Sequence, residues 1–574
     1  MCSFVDVNAG LQEAMAFCQV GRIDEAERIC QQALHSDPDN VDALHLLGVI
    51  AYQVGKYDVA VDLITRAIEI NSGQSLFFNS LGLILREQAK LEEAIEAYHC
   101  ALEINPKYSE AYNNLGVVLH QQERSVEATE AYRRAVEINP EYCQAYYNLG
   151  ILFQEQENFD QAIEAYHRAL EINPNYSEVC NNLGTVLQGK ERFDQAVELY
   201  HHAVTINPKY CEGYNNLGIA LLEQGRLEEA IEACKCALKI QPQFANAHSN
   251  LATILFLQGD FRNAWKEYEW RWECREISFP LNKRDFPQPL WDGSNLNQRT
   301  ILVWAEQGIG DEIMLASMLS TLLKMNPNVI VECDKRLVPL FQRSLPNIQF
   351  VPREDPANPQ LLNPTIDYQI PTGSLGQWLR ADEDTFLPKQ ESYLQACPNK
   401  TRRLQKKYRD LAGDKLLVGI SWKSTGIDQK RAKTKNAPLK YWTPILSRED
   451  CYFINLQYGD IREEIEEYIS ASGYPVYIDE EVDSLSNLDD FAAQISALDL
   501  IVSTSNATVH MSGGLGKKVW VLLSSRPDWR WMLEREDTPW YQTMRLFRQE
   551  KAGDWERVFQ RASSTLGKNL RLYN

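Results

Sequence analysis

The sequence predicts an α-solenoid of paired helices in its first half and two α/β lobes in its second half. Two observations carry this prediction. Small residues, most of them glycine, recur at a 34-residue spacing over the first half, whereas from residue 299 short β-rich runs alternate with helical stretches. With 574 residues, 44% of them hydrophobic, the chain is long enough to bury several cores and is predicted to be multidomain.

The helix pairs are predicted from internal repeats that can be aligned on one small residue. The aligned positions are Gly48, Gly82, Gly116, Gly150, Gly184 and Gly218, followed by Ala252 in the same register. In the unit SEAYNNLGVVLHQQERSVEATEAYRRAVEINPEY, Gly116 stands where two helices would cross, Ala128 lies in the second helix and Pro140 ends the unit. This pattern matches the tetratricopeptide repeat. About eight units between residues 8 and 278 would stack into a superhelix with a concave groove, because one helix pair cannot bury its apolar face alone.

One asparagine position recurs in the first helix of these repeats. The positions are Asn114, Asn148, Asn182, Asn216 and Asn250. Stacked repeats are spaced by roughly 9–10 Å and an extended peptide rises about 3.3 Å per residue, so one asparagine would meet about every third residue of a bound chain. A carboxamide both donates and accepts hydrogen bonds, and it can therefore hold a peptide bond whatever the side chain. This ladder resembles that of the nucleocytoplasmic protein O-GlcNAc transferases and predicts an acceptor peptide in the groove; the alternative is that the asparagines only decorate or bridge the helices.

Charge and composition narrow the partners that the chain can have. Residues 1–278 carry a net charge of −20 and residues 279–574 a net charge of −1, so the first half should repel nucleic acid and anionic membranes. There is no leader and no run of 18 apolar residues, which predicts a cytoplasmic protein without membrane insertion. The 13 cysteines form no CxxC pair, which argues against a zinc site and for a reducing compartment. These observations leave open whether the protein forms a homodimer.

The lobes of the second half are predicted from short runs of strand character. These runs are TILVWAE, NVIVECD, IDYQIP, KLLVGISW, CYFINLQ, PVYID, LDLIVSTS and KVWVLLSS. Because they alternate with helical stretches, the sheets are expected to be parallel. The predicted domains are a solenoid at 1–278, a linker at 279–298, a first lobe at 299–400 and a second lobe at 401–574. Trp265, Trp270, Trp272 and Trp291 cluster before and within the linker and predict an aromatic seam against the next domain.

Ligands of open α/β sheets bind beyond the carboxyl ends of the strands, and four such ends carry glycine or polar residues. They contribute Gly308, Gly310 and Asp311; Trp422 and Lys423; Gln457 and Tyr458; and Ser505, Asn506, Thr508 and His510. A helix starting near Asn506 would offer unpaired N–H groups to a diphosphate, with Lys423 or Lys435 neutralising the other side. Asp311 is either a general base or a helix cap. Trp422 would stack on a nucleobase or pack behind its strand.

Three blocks of the second half carry a resemblance to a known family. AEQGIGD, GISWKSTG…KNAPL and SNATVHMSGGLGKKVWVLL…PDWRWMLEREDTPWYQTMRLFRQ resemble the bacterial tetratricopeptide-repeat glycosyltransferases, whose catalytic half is similar to the ADP-heptose–lipopolysaccharide heptosyltransferases. The resemblance covers essentially the whole chain. It implies a GT-B-type pair of Rossmann-like lobes after the tetratricopeptide superhelix, with a nucleotide-sugar donor in the cleft. It also implies inverting transfer with neither a metal ion nor a separate cofactor.

The resemblance also assigns roles to individual residues. Asp311 takes the position of the aspartate that deprotonates the acceptor hydroxyl, Lys423 that of a basic residue on the donor phosphates, and His510 that of a histidine at a helix start. The sequence departs where Ser505-Asn506 stands in place of Asp-Thr. The full predicted donor site is Gly308, Gly310, Trp422, Lys423, Lys435, Gln457, Tyr458, Ser505, Asn506, Thr508 and His510.

Three hypotheses about function follow from these observations. The favoured one is a glycosyltransferase that modifies hydroxyl groups of a protein held by the repeat groove. The second keeps the enzyme but makes the acceptor a glycan or a lipid-linked sugar. The third is a protein-binding scaffold whose second half has lost activity, for which the Ser505 departure is the main support.

Overall fold

The computed structural model describes residues 7–274, 283–386, 392–424, 435–526 and 528–569. The chain forms two compact units, residues 1–220 and residues 221–574. The second unit therefore contains the last repeats as well as both β-sheets. The predicted linker at 279–298 lies partly outside the described residues.

The first unit consists of antiparallel helix pairs, as the repeats predict. Its helices are α1 Val7–Gln19, α2 Ile23–Ser36, α3 Val41–Gln53, α4 Tyr57–Ile70, α5 Ser75–Glu87, α6 Leu91–Ile104, α7 Ser109–Gln121, α8 Ser125–Ile138, α9 Cys143–Glu155, α10 Phe159–Ile172, α11 Ser177–Gly189 and α12 Phe193–Ile206. The repeats continue through α13 Cys211–Glu223, α14 Leu227–Ile240, α15 Ala245–Gln258 and α16 Phe261–Tyr268. The predicted solenoid of helix pairs is confirmed.

A glycine against a tyrosine forms the crossing point of four successive helix pairs. The pairs are Gly82 with Tyr98, Gly116 with Tyr132, Gly150 with Tyr166 and Gly184 with Tyr200. A Cβ atom added at Gly150 would lie 2.3 Å from Cε1 of Tyr166, whose side chain is fully buried. The 34-residue recurrence of glycine thus comes from steric exclusion, because only a residue without a Cβ lets the ring fill this space.

Replacing Gly150 by alanine is expected to destabilise the repeats by about 1–3 kcal/mol, because the Tyr166 ring must move within a closely packed core. Gly189→Ala is the matched control. A Cβ at Gly189 meets no atom within 4 Å, so that variant should be neutral or slightly stabilising. The measurement is chemical unfolding followed by circular dichroism. Equal stability of the two variants would contradict the crossing-point role.

The second unit contains a four-stranded parallel sheet. Its strands are β1 Thr300–Trp304, β2 Asn328–Cys333, β3 Gln349–Pro352 and β4 Tyr368–Pro371, in the order β3-β2-β1-β4. The accompanying helices are α17 Ile309–Ala316, α18 Leu319–Leu323, α19 Val338–Ser344 and α20 Gly376–Leu379. β1 is an inner strand and is mostly buried. The segment that follows it therefore leaves the sheet at the carboxyl ends of the strands, away from the edge strands.

A five-stranded parallel sheet lies further along the chain in the same unit. Its strands are β5 Leu416–Ser421, β6 Cys451–Asn455, β7 Leu500–Thr504, β8 Val519–Leu523 and β9 Met544–Arg548, in the order β6-β5-β7-β8-β9. Its helices are α21 Pro398–Ala412, α22 Thr443–Leu446, α23 Arg462–Ser472, α24 Leu488–Ser496, α25 Ala507–Gly514 and α26 Trp555–Asn569. α25 directly follows β7, the central strand of this sheet.

The parallel α/β architecture is confirmed, and the GT-B assignment stays a prediction. Two details differ from the sequence prediction. The run PVYID makes only an isolated bridge between Tyr477 and Ile454. β3 and β9 were not among the predicted strands; β9, MRLFR, carries two arginines in five residues, which hides its strand character until its pairing with β8 is known. No helix among the described residues has the length and apolar character that crossing a membrane requires.

Candidate functional site

Two helix starts, one from each sheet, meet at the carboxyl ends of the central strands. Gly308 precedes α17 in an extended conformation, and Asn506 caps α25 by accepting a 3.0 Å hydrogen bond from the amide of Thr508. A Cβ at Gly310 would lie 3.2 Å from Cδ2 of His510, whereas a Cβ at Gly308 would meet open space. Gly310 therefore allows the close approach of the helices, and Gly308 leaves the first turn of α17 uncovered.

A chain of ion pairs crosses this junction. Arg530 donates hydrogen bonds to the carboxylates of Asp311 and Asp528, and Nζ of Lys435 lies 3.2 Å from Oδ2 of Asp528. The four side chains are between 10% and 23% exposed, so their charges are poorly screened and depend on one another. Burial opposes the charge of Arg530, but Asp311 and Asp528 raise the pKa of its guanidinium. The carboxylate of Asp311 is thus oriented by a cation that belongs to the segment after β8.

His510 lies beside these ion pairs, and its imidazole is neutral. Its Nδ1 is 3.0 Å from the hydroxyl oxygen of Tyr541, and its ring stacks on Trp531 with the centroids 5.5 Å apart. Burial, assisted by the positive charge of Arg530, lowers the pKa of His510 to about 3. Burial also raises the pKa of Tyr541, so the phenol keeps its proton. His510 can therefore exchange hydrogen bonds at neutral pH without carrying charge.

Asn506 joins the end of β7 to the end of β5. Its Nδ2 donates to Oγ of Ser421 at 2.7 Å and to the carbonyl oxygen of Lys423 at 3.2 Å. Ser505, which stands where the resemblance expects an acid, accepts a 2.8 Å hydrogen bond from Nε1 of Trp531. Thr508 is fully buried and its hydroxyl donates to the carbonyl of Leu456. The side chains of Asn506 and Thr508 thus hold the turn together. Few of their hydrogen-bonding groups are left for a bound ligand.

The side chains of Gln457 and Trp422 also make contacts that hold the protein together. Oε1 of Gln457 accepts from the amides of Trp422 and Lys423 at 2.9 Å and 2.8 Å. The Trp422 ring is 1% exposed and belongs to the core of the second sheet, so packing behind the strand is the alternative that the structure favours over nucleobase stacking. Nε1 of Trp422 and Nζ of Lys423 both donate to the carboxylate of Glu464, at 2.8 Å and 2.6 Å.

A pocket of about 350 Å³ opens beyond the carboxyl end of β6. It is lined by parts of residues 455–462 and 478–485, and by Gln457 and Gln494. Gly459 adopts a φ of 95° in its wall, next to Tyr458. Because Gln457 both lines this pocket and holds the amide of Lys423, the pocket and the lysine are linked through one side chain.

The asparagine ladder of the first unit is formed by hydrogen bonds between successive repeats. Each carboxamide donates to the side chain 35 residues earlier: Asn114 to Asn79 at 3.1 Å, Asn148 to Asn113 at 2.8 Å, Asn182 to Tyr147 at 3.4 Å and Asn216 to Asn181 at 3.0 Å. Asn250 is half-buried on α15 in the second unit. This arrangement matches the helix-bridging alternative, since one donor of each of the first four carboxamides is already used within the solenoid.

The sequence-based prediction missed the partners of the charged site residues. Arg530, Asp528, Glu464 and Tyr541 were not predicted, although Arg530 and Asp528 stand in the quoted run PDWRWML. A signal was present there, because an arginine between two tryptophans is expected to be buried and a buried arginine must be paired. Its pairing with Asp311 cannot be read from spacing, because the two residues are 219 positions apart.

The described residues include no group of three or more His, Cys, Asp or Glu side chains that could hold a metal ion. The polar groups that gather at the junction are two aspartates, a neutral imidazole, two cations and the starts of two helices. This set can bind an anion and accept a proton.

Comparison with known proteins identifies the repeats. Models described as tetratricopeptide repeat match residues 11–75, 109–142, 143–176, 177–210 and 211–244, and one described as TPR repeat matches residues 82–123. The first half therefore carries tetratricopeptide repeats. The protein FlbA of Caulobacter vibrioides is 31% identical over 315 residues, which cover 53% of this chain and 52% of FlbA. The chain thus spans about half the length of this relative.

Several solved structures are also similar to part of the chain. YrrB, described as a TPR protein with an unusual peptide-binding site, is 26% identical, covers 32% of this chain and 95% of its own, and has a TM-score of 0.29. MamA is 25% identical, with coverage of 28% and 94% and a TM-score of 0.26. PilF of Pseudomonas aeruginosa is 20% identical, with coverage of 35% and 92% and a TM-score of 0.33.

The neutral state of His510 predicts a pH dependence of stability. Below its ordinary pKa of 6.5 the imidazole takes up a proton when the protein unfolds, whereas in the folded protein it stays neutral until about pH 3. The unfolded state then binds more protons, so the free energy of unfolding should fall as the pH drops from about 6.5 towards 3. His510→Asn should flatten this slope.

The control for the histidine experiment is His201→Asn, which changes an exposed histidine. Tryptophan fluorescence is the probe, because all 13 tryptophans lie between residues 265 and 555, inside the second unit. The same slope in the His510 variant and in the unchanged protein would show that His510 titrates normally.

Proposed function

We propose that residues 299–574 form a glycosyltransferase that moves a sugar from a nucleotide-sugar donor to a hydroxyl group of a protein segment held by the repeats. The observation that carries this proposal is the meeting of two helix starts around Asp311, at the carboxyl ends of two parallel sheets. Sites of this kind bind phosphorylated ligands, since unpaired N–H groups and the helix dipoles favour an anion. The resemblance to the tetratricopeptide-repeat glycosyltransferases agrees with this placement.

The donor diphosphate would bind at the start of α25, between Lys423 and Lys435. Each lysine is paired with a carboxylate, Glu464 or Asp528, and a diphosphate would compete for these ammonium groups. The pocket beyond β6 has room for a nucleoside. As the bond between the sugar and the phosphate breaks, the two lysines would stabilise the negative charge that develops on the departing nucleoside diphosphate.

Asp311 would act as the general base. The acceptor oxygen would attack the anomeric carbon from the face opposite the diphosphate, forming a new carbon–oxygen bond while the bond to the phosphate breaks, and its proton would pass to the Asp311 carboxylate. This single displacement inverts the anomeric configuration. Arg530 would orient the carboxylate, and the open space at Gly308 would let the acceptor reach it.

Asp311→Asn is expected to lower transfer by about 10²- to 10⁴-fold, because an amide cannot accept the proton. Nucleotide binding should persist, since the lysines are unchanged. Asp410→Asn, on the exposed face of α21, is the control. The measurement is transfer of radiolabelled sugar to protein, with the melting temperature of each variant determined alongside. Full turnover in Asp311→Asn would remove this residue from the chemistry.

A protein-binding scaffold is the second candidate. The observation that favours it is the internal pairing of the predicted site: Asp311 with Arg530, Lys423 with Glu464, and Lys435 with Asp528. A site whose charges satisfy one another is stable without a ligand. The two candidates differ in whether a nucleotide binds, since a scaffold has no need of one.

Nucleotide binding separates the candidates through thermal unfolding with UDP, ADP, GDP or CMP. A nucleotide at 100 times its dissociation constant should add about 2.7 kcal/mol of stability to a transferase. Lys423→Ala should weaken this effect, whereas Lys440→Ala, at an exposed lysine, should not. If one of the four nucleotides stabilises the unchanged protein, that nucleotide also identifies the base of the donor. A flat response to all four at millimolar concentration would favour the scaffold.

A further inference from the structure

The last repeat is built into the second unit. Trp265 of α16 is fully buried; its Nε1 donates to the carbonyl of Arg380 at 2.9 Å. A Cβ at Gly376 would lie 2.3 Å from Cε2 of Trp265, so the indole fills a space that only glycine leaves open. The helix pair α15–α16 and the 3₁₀ turn that follows it, Glu269–Glu273, therefore pack as part of the unit that holds Asp311.

A buried arginine projects from this 3₁₀ turn. Arg271 is 3% exposed and donates to Oε2 of Glu306 at 2.7 Å, to Oγ of Ser374 at 2.9 Å and to Oε1 of Glu269 at 3.0 Å. Its guanidinium also lies 4.4 Å from the ring centroid of Tyr268. Removing two charges from water costs about as much as their attraction returns, so a buried pair of this kind is better evidence for a required geometry than for stability.

Glu306 connects this arginine to the turn that carries Asp311. Glu306 follows β1 and stands two residues before Gly308, where the first turn of α17 begins. The next residue, Gln307, donates from Nε2 to the hydroxyl of Tyr268 at 2.6 Å. Two consecutive residues before the turn are thus held by side chains of the last repeat segment.

The same repeat also supports the other partner of the Asp311 ion pair. The ring of Phe256, on α15, stacks on Trp529 with the centroids 4.3 Å apart, and Trp265 meets Trp529 edge to face. The guanidinium of Arg530 lies 4.8 Å from the Trp529 ring. Both sides of the Asp311–Arg530 pair are therefore packed against one helix pair.

We infer that Arg271 is a positioning residue for Asp311. By holding Glu306, it fixes the turn from β1 to α17 so that the Asp311 carboxylate faces Arg530. The inference rests on the proposed function for its effect on transfer, but the geometry can be tested without any sugar donor.

The test places a thiol at position 311 in the full-length protein. In Asp311→Cys the thiol should have a lowered pKa, because it lies beside Arg530 and a cation favours the thiolate. Its alkylation by iodoacetamide is followed against pH by mass spectrometry. The tryptic peptide 300–324 contains no native cysteine, so modification there reports on position 311 alone.

Adding Arg271→Met to Asp311→Cys should raise the alkylation midpoint by about one pH unit, towards that of an ordinary thiol. Arg262→Met is the matched control, because Arg262 lies on α16 in an exposed ion pair with Asp382. A second background, Arg271→Met with Glu306→Leu, removes both buried charges and avoids leaving one of them unpaired. With Arg271→Lys in place of Arg271→Met, the alkylation midpoint should rise less. A midpoint that moves in neither background overturns the assignment.

Transfer kinetics provide the second readout. With Asp311 intact, Arg271→Met should lower kcat by about 10-fold or more while the donor KM stays the same, since orientation is lost but donor contacts remain. An unchanged kcat in a protein that transfers sugar overturns the positioning role. If the unchanged protein transfers no sugar but the alkylation midpoint shifts, the proposed function fails and the positioning role stands.

Discussion

The second unit depends on the burial of Arg530 between two acids. Its guanidinium pairs with Asp311, which follows β1 of the first sheet, and with Asp528, which follows β8 of the second sheet. An arginine side chain that is only 13% exposed would be destabilising without these partners, because little water remains to solvate its charge. The start of α17 must therefore stay close to the segment after β8, and Gly310 makes this distance sterically accessible.

Aromatic packing converts this local requirement into a larger one. Trp529 and Trp531 flank the arginine; Trp529 stacks on Phe256 of the last repeat, whereas Trp531 stacks on His510 and donates to Ser505. The position of the catalytic candidate is thus tied at once to the last helix pair and to the start of α25. A solenoid that ends in this way is part of the site's support, which distinguishes its last pair from the repeats of the first unit.

The repeats of the first unit show how one residue type can serve structure where a ligand was predicted. The asparagine positions were found from periodicity alone, but their donors reach the preceding repeat at Asn79, Asn113 and Asn181. A carboxamide has two N–H groups and an acceptor oxygen, so such bridging leaves capacity for a peptide. Sequence spacing locates these side chains and says nothing of their partners, because partners depend on how the pairs stack.

Periodicity and local preference determined the helix pairs and the glycine crossings, since these depend on contacts between residues near in sequence or repeated at fixed spacing. The alternation of strands with helices predicted parallel sheets, but β3 and β9 are strands only because distant segments pair with them. The strand ends that carry Asp311, Lys423 and Asn506 could also be predicted, because the direction of each strand places them there. The pairing of Asp311 with Arg530 and of Arg271 with Glu306 was decided by tertiary structure. These partners come from separate elements, and only the packing of tryptophan and glycine between those elements brings the charges within hydrogen-bond distance.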